Sequence, residues 1–286
     1  MDVCNINDIK ALLSRHGFHF SKSMGQNFLI ESWVPEDIAA SSGASAGCCV
    51  LEIGPGIGPL TCRLSERAEK VVAVELDRSL LPILSETLAG KENVRVIPGD
   101  IMKLDIHALV REHFDGLTPL VCANLPYNIT SPVLTHLIDA HLFSSITVMI
   151  QKEVALRICA RPGSSDYGAF SVYCQYHTDP ELLFHVPNTC FLPAPKVTSS
   201  VIRLTPHPKP DCVTDEDFFF RVVRAAFAQR RKTLLNSLVS GLGYPYTREH
   251  IIKAISDAGL PENIRGEQLG IPEFAALADN LSRAIV

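Results

Sequence analysis

Residues 48–61, CCVLEIGPGIGPLT, decide the fold. An apolar run ends in Gly54, Gly56 and Gly58, and Pro59 then suits the first turn of a helix. A glycine turn lets a ligand approach the backbone without meeting a Cβ atom. In a doubly wound parallel sheet such a turn lies at the carboxyl edge, where ligands bind. The stretch therefore predicts a strand, a ligand-binding turn and a helix, although a turn of structural use alone fits the same pattern.

Short apolar runs alternate with helical patterns on either side of this stretch. That alternation predicts βαβ crossovers, a mostly parallel sheet and the α/β class. After the Pro-rich segment 205–211, TPHPKPD, the pattern becomes helical, beginning with one segment at 215–242. We expect a sheet domain at 1–206 and a small all-helical domain at 207–286. The further predicted strands are KVVAVELD (70–77), VRVIPGD (94–100), PLVCAN (119–124) and SITVMIQ (145–151).

Composition limits the kind of protein. The chain has 286 residues, 47% of them hydrophobic, which is enough to bury a substantial core. No apolar stretch has membrane-spanning length and none resembles a secretory signal, so we expect no membrane contact. Nine cysteines without a C-x-x-C pair indicate free thiols in a reducing compartment, the cytoplasm by default. The ten histidines form no metal-binding cluster, and we expect no metal.

Net charge argues mildly against a nucleic-acid partner. The formal charge is −5 with a pI near 6.1, whereas nucleic-acid binders usually carry a basic footprint. Any polyanion site must therefore be a local patch. One run without acids predicts such a patch along a helix, with a solvated helix face as the alternative. Its cations are Arg221, Arg224, Arg230, Arg231 and Lys232.

Acidic residues end the next two predicted strands. Glu75 lies about 20 residues beyond the glycine turn, where an acid accepts hydrogen bonds from ribose hydroxyls. That contact suits a nicotinamide dinucleotide and S-adenosylmethionine equally. Asp100 is placed to accept from an adenine amino group, with apolar Ile101 on the ring; a helix N-cap is the alternative for Asp100.

The fourth predicted strand ends in an amide, a proline and an aromatic, Asn124-Leu125-Pro126-Tyr127. The Asn124 side-chain oxygen and the Leu125 carbonyl could accept both hydrogens of an exocyclic amine. Pro126 biases Leu125 toward an extended backbone, and Tyr127 could stack on a base. The alternative is a strand-to-helix turn, with Asn124 as the cap and Pro126 at the helix start.

Together these motifs resemble the small-subunit ribosomal RNA adenine dimethyltransferase family over nearly the whole chain. The segments that carry the resemblance are MGQNFL, EIGPGIGPLT, VVAVELD, GDI, NLPYNIT, QKEVA, FLPAPKVTS and IRGEQLGIPEFAALADNL. The resemblance implies a class I, Rossmann-like methyltransferase sheet with a small all-helical C-terminal domain. It also implies an enzyme that uses S-adenosylmethionine to dimethylate N6 of two adjacent adenosines near the 3′ end of small-subunit rRNA.

The resemblance also implies roles for individual residues. Gln26, Asn27, Phe28 and Leu29 would close over the cofactor from an N-terminal segment outside the sheet. Gly54 and Gly56 would contact the methionine part of the cofactor, and Glu75 its ribose. Asp100 and Ile101 would contact its adenine, and Asn124 would lie near its reactive end. The target adenine would lie against Asn124, Leu125, Pro126 and Tyr127, with Phe191 on its other face. From the sequence alone, Phe191 is equally well explained as a core aromatic.

Other functions share parts of this pattern. Macrolide-resistance methyltransferases modify a large-subunit rRNA adenine with the same fold, but FLPAPKVTS and IRGEQLGIPEF favour the small subunit. A noncatalytic assembly or transcription factor would not need both the glycine turn and Asn124-Leu125-Pro126-Tyr127. Nothing resembles the hydride-transfer site of a dinucleotide oxidoreductase. We expect a monomer whose partners are small-subunit rRNA and the small ribosomal subunit or its precursor.

Overall fold

The computed structural model describes residues 3–20 and 25–285, which form two compact units. The first, here the sheet unit, comprises Met1–Ala155 and Pro180–Pro206. The second, here the helical unit, comprises Leu156–Asp179 and His207–Val286. Within the described ranges, no helix is long and apolar enough to cross a bilayer.

The elements alternate along the first half of the chain as the sequence predicts. In chain order they are α1 (Ile6–Arg15), β1 (Phe28–Leu29), α2 (Trp33–Ser41), β2 (Cys48–Ile53), α3 (Pro59–Ser65), β3 (Lys70–Glu75), α4 (Leu81–Thr87), β4 (Val94–Pro98), α5 (Ile106–His113), β5 (Thr118–Asn124), α6 (Thr130–Asp139), β6 (Ser145–Gln151), α7 (Lys152–Ile158), α8 (Ala169–His177), β7 (Thr178–Val186), β8 (Phe191–Leu192), β9 (Ser199–Pro206), α9 (Glu216–Phe227), α10 (Leu234–Leu242), α11 (Arg248–Asp257) and α12 (Ile271–Arg283).

Seven strands form the main sheet in the order β4-β3-β2-β5-β6-β9-β7. The first five of these pair in parallel, and β9 pairs antiparallel to β6. The central strands are buried and read as continuous apolar runs because helices cover a parallel sheet on both faces. A separate antiparallel pair joins β1 to β8. This sheet and the helical C-terminal region confirm the predicted fold class.

The helical unit begins earlier in the chain than the sequence predicts. Its core includes Phe219 and Phe274 from α9 and α12, but also Tyr167, Val172 and Tyr176 from the segment before β7. The predicted boundary therefore assigns Leu156–Asp179 to a different unit from the one the structure gives it. The reason is tertiary: these side chains find their apolar partners on helices that follow much later in the chain.

The predicted helical segment 215–242 is two helices, not one. Asp215 caps α9 by accepting from the Phe218 N–H at 3.0 Å, and α9 ends at Phe227. Thr233 then has an extended backbone before α10, and the Leu234 N–H donates to the Ile264 carbonyl at 2.7 Å. Arg230, Arg231 and Lys232 consequently lie on a turn. Helical spacing predicted Arg231 further along the helix face of Arg221 and Arg224; that prediction is wrong, because α9 ends before it.

Gly241 sets how closely α10 approaches α9. A Cβ atom at this position would lie 2.7 Å from the Ala225 Cβ and 2.9 Å from its Cα. Alanine normally stabilises a helix interior by about 1 kcal/mol over glycine. Here the added methyl meets backbone, and overpacking of this kind costs roughly 1–3 kcal/mol. We expect Gly241→Ala to lower the free energy of unfolding in urea titrations.

Exposed Ser240 provides the matched control on the same helix. Its hydroxyl donates only to the Asn236 carbonyl four residues earlier, at 3.0 Å. Ser240→Ala should leave stability unchanged or raise it slightly. Equal midpoints for the two variants would contradict the close approach of α9 and α10.

Candidate active site

The carboxyl ends of β2, β3, β4 and β5 meet at one cavity in the sheet unit, because parallel strands end at the same edge. Residues 25–29, here called the N-terminal segment, and Phe191 of β8 complete the wall of this cavity. The structure brings together every residue that the sequence assigns to the cofactor or the target base. These lining residues are Gln26, Asn27, Phe28, Leu29, Gly54, Gly56, Glu75, Asp100, Ile101, Asn124, Leu125, Pro126, Tyr127 and Phe191.

The glycine turn after β2 needs its glycines for conformation and for space. Gly54, Gly56 and Gly58 have φ angles of +67°, +61° and +93°, which L side chains rarely adopt. A Cβ at Gly56 would also lie 3.4 Å from the Phe28 ring. The turn thus exposes backbone to the cavity and leaves Phe28 room to pack against it.

Glu75 is held by the backbone on two sides. Its Oε2 accepts from the Gly56 N–H at 3.3 Å, and its Oε1 accepts from the Asp77 N–H at 2.7 Å. Burial raises the pKa of Glu75, while these two N–H groups oppose the rise. The carboxylate is therefore oriented at the cavity wall, where it can accept hydrogen bonds from a diol.

Asp100 is not a helix N-cap, because Asp105 caps the following helix α5, and the contact of Asp100 with an adenine stays a prediction. Asp100 Oδ1 accepts from the Met102 N–H at 3.0 Å, so it does stabilise the turn after β4. Lys103 Nζ lies 3.7 Å from Oδ2. The side chain still lines the cavity beside Ile101, which is buried. One carboxylate thus serves the turn and remains available to an amino group.

Hydrogen bonds, a strand pair and a ring contact hold the N-terminal segment in place at the cavity. Gln26 Nε2 donates to Asp77 Oδ2 at 2.6 Å, and the Asn27 side chain donates to the Gly25 carbonyl at 3.0 Å. The β1–β8 pairing places Leu29 opposite Phe191. Phe28 packs on the ring of Phe18, 5.8 Å away between centroids. These contacts hold residues 25–29 against the glycine turn.

Asn124 and Leu125 present two oxygen acceptors at the end of β5. The Leu125 N–H donates back to the Met149 carbonyl at 3.1 Å, which anchors the backbone. Among the residues that the structure describes, none donates to the Asn124 side-chain oxygen or to the Leu125 carbonyl. The cap alternative is not realised, since the Asn124 side chain caps neither the 3₁₀ turn Tyr127–Ile129 nor α6. Both acceptors remain available to a ligand.

Two aromatic side chains complete this end of the cavity. Tyr127 is half-buried, and its hydroxyl lies 2.6 Å from Ser199 Oγ. Phe191 is only 3% exposed and packs in the core beside Leu29 and Met149. Phe191 is therefore a core aromatic that also lines the cavity, and its contact with a target base stays a prediction.

Glu52 is a cavity residue that sequence reasoning missed. It is 1% exposed, and its Oε2 has no hydrogen-bond partner in the described part of the chain. Burial raises the pKa of Glu52 to about 8; the Thr61 side chain opposes the rise, and the Glu75 carboxylate adds to it. The available signal was an acid inside the apolar run 48–53, directly before the glycine turn.

The predicted basic patch of the helical unit divides into two kinds of residue. Arg221 donates to the Leu242 carbonyl at 2.8 Å, and Arg230 donates to the carbonyls of Ser165 and Tyr167. These two guanidinium groups satisfy internal backbone acceptors. By contrast Arg224, Arg231 and Lys232 are exposed, and their side chains have no hydrogen-bond or ion-pair partner among the described residues.

Glu52 makes stability depend on pH in a defined direction. Its pKa in the folded protein is above the ordinary value of 4.5, so the folded state binds more protons than the unfolded state between pH 4.5 and about 8. The free energy of unfolding should therefore fall as pH rises through this window. Glu52→Gln should remove that contribution, which is on the order of a few kcal/mol.

Urea unfolding from pH 5 to 9 measures the effect. The matched control is Glu112→Gln, an exposed acid on α5. That control should follow the wild-type pH curve, whereas Glu52→Gln should flatten it. Parallel curves for all three proteins would show that Glu52 ionises normally in the fold.

Known proteins are similar to this chain over nearly its whole length. Residues 17–269 match the family described as Ribosomal RNA adenine dimethylase. Ribosomal RNA small subunit methyltransferase A of Geobacillus thermodenitrificans is 46% identical over 285 residues, covering 98% of this chain and 97% of that protein. The protein of the same name from Bacillus mycoides is 48% identical over 286 residues, with the same coverage.

Solved structures share the fold. A dimethyladenosine transferase from Plasmodium falciparum superposes with a TM-score of 0.73 at 24% identity, covering 90% of this chain and 98% of that one. The 23S rRNA methyltransferase ErmE superposes with a TM-score of 0.67 at 25% identity, covering 90% and 100%. Because the family match spans most of the chain and includes the whole cavity, this protein belongs to the ribosomal RNA adenine dimethylase family.

Proposed function

We propose that this protein transfers methyl groups from S-adenosylmethionine to N6 of two adjacent adenosines near the 3′ end of small-subunit rRNA, giving N6,N6-dimethyladenosine. The observation that carries the proposal is the pair of unpartnered acceptors, Asn124 Oδ1 and the Leu125 carbonyl, at the cavity of the glycine turn. The full-length relatives named as small subunit methyltransferases support the choice of substrate.

The cavity suits the three parts of the cofactor. Glu75 offers a buried carboxylate to the ribose hydroxyls, and the glycine turn lets the methionine part approach the backbone. Asp100 offers an acceptor to the adenine amino group, with apolar Ile101 for the ring. Glu52, which has an unpartnered buried oxygen, lines the same wall. When bound, the cofactor supplies a methyl group attached to a positively charged sulfonium sulfur. Transfer of the methyl group leaves the cofactor as a neutral thioether.

The protein's contribution to the chemistry is alignment of the target amine. The adenine N6 lone pair is delocalised into the ring, so it must be turned toward the methyl group. Acceptance of both N6 hydrogens by Asn124 Oδ1 and the Leu125 carbonyl orients that lone pair. Tyr127 and Phe191 flank the base, and the N6 proton is lost to solvent after transfer. No general base is required.

The target adenosine must leave its stack to reach this cavity, at a cost of a few kcal/mol.

Phosphate contacts from the helical unit would orient the RNA while adding little sequence specificity. Arg224, Arg231 and Lys232 are the cations available for this task, since Arg221 and Arg230 already bind backbone carbonyls. Such a local patch reconciles RNA binding with a net charge of −5.

The alternative substrate is a large-subunit rRNA adenine. The name of the ErmE neighbour fits that substrate, but its identity to this chain is 25%, against 46–48% for the small-subunit relatives. A noncatalytic role is disfavoured because it would need neither Asn124 Oδ1 nor the Leu125 carbonyl at the cavity, and both lack a donor among the described residues. Within the same proposal, the protein is a cytoplasmic monomer that acts on the small subunit or its precursor.

Radiolabel transfer tests the function directly. The protein is incubated with tritiated S-adenosylmethionine and undermethylated small subunits, and in parallel with large subunits. Digestion to nucleosides should place the label in N6,N6-dimethyladenosine from small subunits only. Label in the large subunit would favour the alternative substrate, and no label in either would contradict the enzymatic proposal.

Asn124→Ala tests the alignment of the amine. Loss of one acceptor should lower the single-turnover methylation rate by at least about 10²-fold, similar to removing one transition-state hydrogen bond. Cofactor affinity, measured by calorimetry, should change little. Asn124→Asp keeps an acceptor at the same position and should lose less activity than Asn124→Ala. Wild-type rates for Asn124→Ala would rule out this mechanism.

The phosphate patch is tested by comparing neighbouring cations of equal charge. Arg231→Gln should reduce the magnitude of the slope of log affinity against log salt by roughly 0.7–0.9, the value for one lost phosphate contact. The double variant with Lys232→Gln should reduce it about twice as much. Arg230→Gln removes the same charge but instead frees two carbonyls, so it should mainly lower stability.

Small-subunit binding across a salt series provides the slopes, and urea unfolding provides the stabilities. Equal slopes for the wild type and the double variant would show that the turn between α9 and α10 does not contact phosphate. The RNA footprint would then lie on the sheet unit.

A further inference from the structure

Ser199 lies close behind the cavity wall because of the direction of its strand. It is the first residue of β9, which runs antiparallel to β6, so its register partner is Gln151 at the end of β6. The amino end of an antiparallel strand lies at the carboxyl edge of the parallel strands. Ser199 is therefore fully buried one layer behind the cavity wall, within reach of the 3₁₀ turn that follows β5.

The Ser199 hydroxyl lies 2.6 Å from the Tyr127 hydroxyl, a short hydrogen bond between neutral groups. Neither side chain has another hydrogen-bond partner among the described residues. Burial raises the pKa of Tyr127, so its hydroxyl stays neutral near pH 7; the Ser199 hydroxyl opposes that rise. A bond between two partly or fully enclosed hydroxyls is stronger than one in water.

Tyr127 depends on this bond for the placement of its ring. The turn Tyr127–Ile129 contains no fully buried residue, and Tyr127 itself is half-buried, so packing restrains its ring only in part. A tyrosine side chain has two rotatable torsions, and a hydrogen bond to the phenol oxygen restricts the first of them, χ1, which sets where the ring lies. The restriction is present before any base enters, which lowers the entropy lost on binding.

We propose that Ser199 is a positioning residue for the methylation reaction: its hydroxyl fixes where the Tyr127 ring lies at the cavity, beside the target adenine. The proposal rests on the proposed function, because it assigns the ring a base to stack on. Ser199 does not line the cavity and acts only through Tyr127. The proposed role depends on the Ser199 hydroxyl alone.

The next residue offers a matched control. Ser200 is also fully buried, and its hydroxyl lies 2.8 Å from His185 Nδ1. Successive side chains of a strand point to opposite faces, so Ser200 points away from Tyr127. Ser199→Ala and Ser200→Ala thus each remove one buried hydroxyl that has one partner. A loss of activity caused only by reduced stability should be similar in both.

Single-turnover methylation and cofactor affinity are measured for the wild type, Ser199→Ala, Ser200→Ala, Tyr127→Phe and Ser199→Ala with Tyr127→Phe. Ser199→Ala should be slower by about five- to tenfold, the effect of one net hydrogen bond, with unchanged cofactor affinity. Ser200→Ala should keep the wild-type rate. Because Tyr127→Phe removes the same bond, the double variant should be no slower than the slower single variant.

A second readout does not depend on methylation. NMR of protein labelled with carbon-13 at the tyrosine ring carbon bearing oxygen follows the Tyr127 phenol, which Tyr127→Phe identifies. Ser199→Ala should raise the pH at which this phenol ionises, since the opposing hydroxyl is gone, whereas Ser200→Ala should not.

The two proposals fail in different ways. A wild-type protein that methylates no rRNA would refute the proposed function, while the NMR shift would still test the hydrogen bond. If the wild type is active, a Ser199→Ala protein with the wild-type rate would overturn the role of Ser199. Multiplicative losses in the double variant, or an unchanged phenol titration, would overturn it as well.

Discussion

Parallel pairing of β2 with both β3 and β5 is the constraint on which the cavity depends. It places the glycine turn, Glu75 and Asn124 at one edge although they are far apart in the chain. The Gly56 N–H bond to Glu75 then joins the turn of one strand to the end of the next. Because these groups are attached to buried strands, their geometry depends little on the loops around them.

Local patterns in the sequence were sufficient for most of this edge. The glycine turn, the acids at strand ends and Asn124-Leu125-Pro126-Tyr127 each follow an apolar run, so strand alternation alone assigns them to the cavity. The residues that sequence reasoning missed are defined by tertiary burial. Glu52 is unusual only because both faces of its strand are covered, and Ser199 matters only because an antiparallel strand ends beside Tyr127.

In the helical unit, local sequence patterns predicted less of the structure than they did at the cavity edge. Helical periodicity predicted one segment over 215–242, but it could not reveal that the backbone at Leu234 would bond to Ile264, which lies in a distant loop. The same limit applies to charge. Five cations in a run look equivalent in a sequence, yet Arg221 and Arg230 are occupied by backbone carbonyls. A count of charges therefore overstates the part of this surface that is available to a polyanion.

The short β1–β8 pairing has a consequence for how the protein folds during synthesis. Leu29, near the beginning of the chain, pairs with Phe191, which is made only after the strands β2 to β6. A nascent chain that has emerged as far as β6 therefore possesses the glycine turn, Glu75 and Asp100, and also Asp77, which bonds to Gln26, but it lacks the strand that pairs with β1. Such a long-range contact forms late because the intervening chain must first be ordered. The β1–β8 pair can thus form only when translation of the sheet unit is nearly complete.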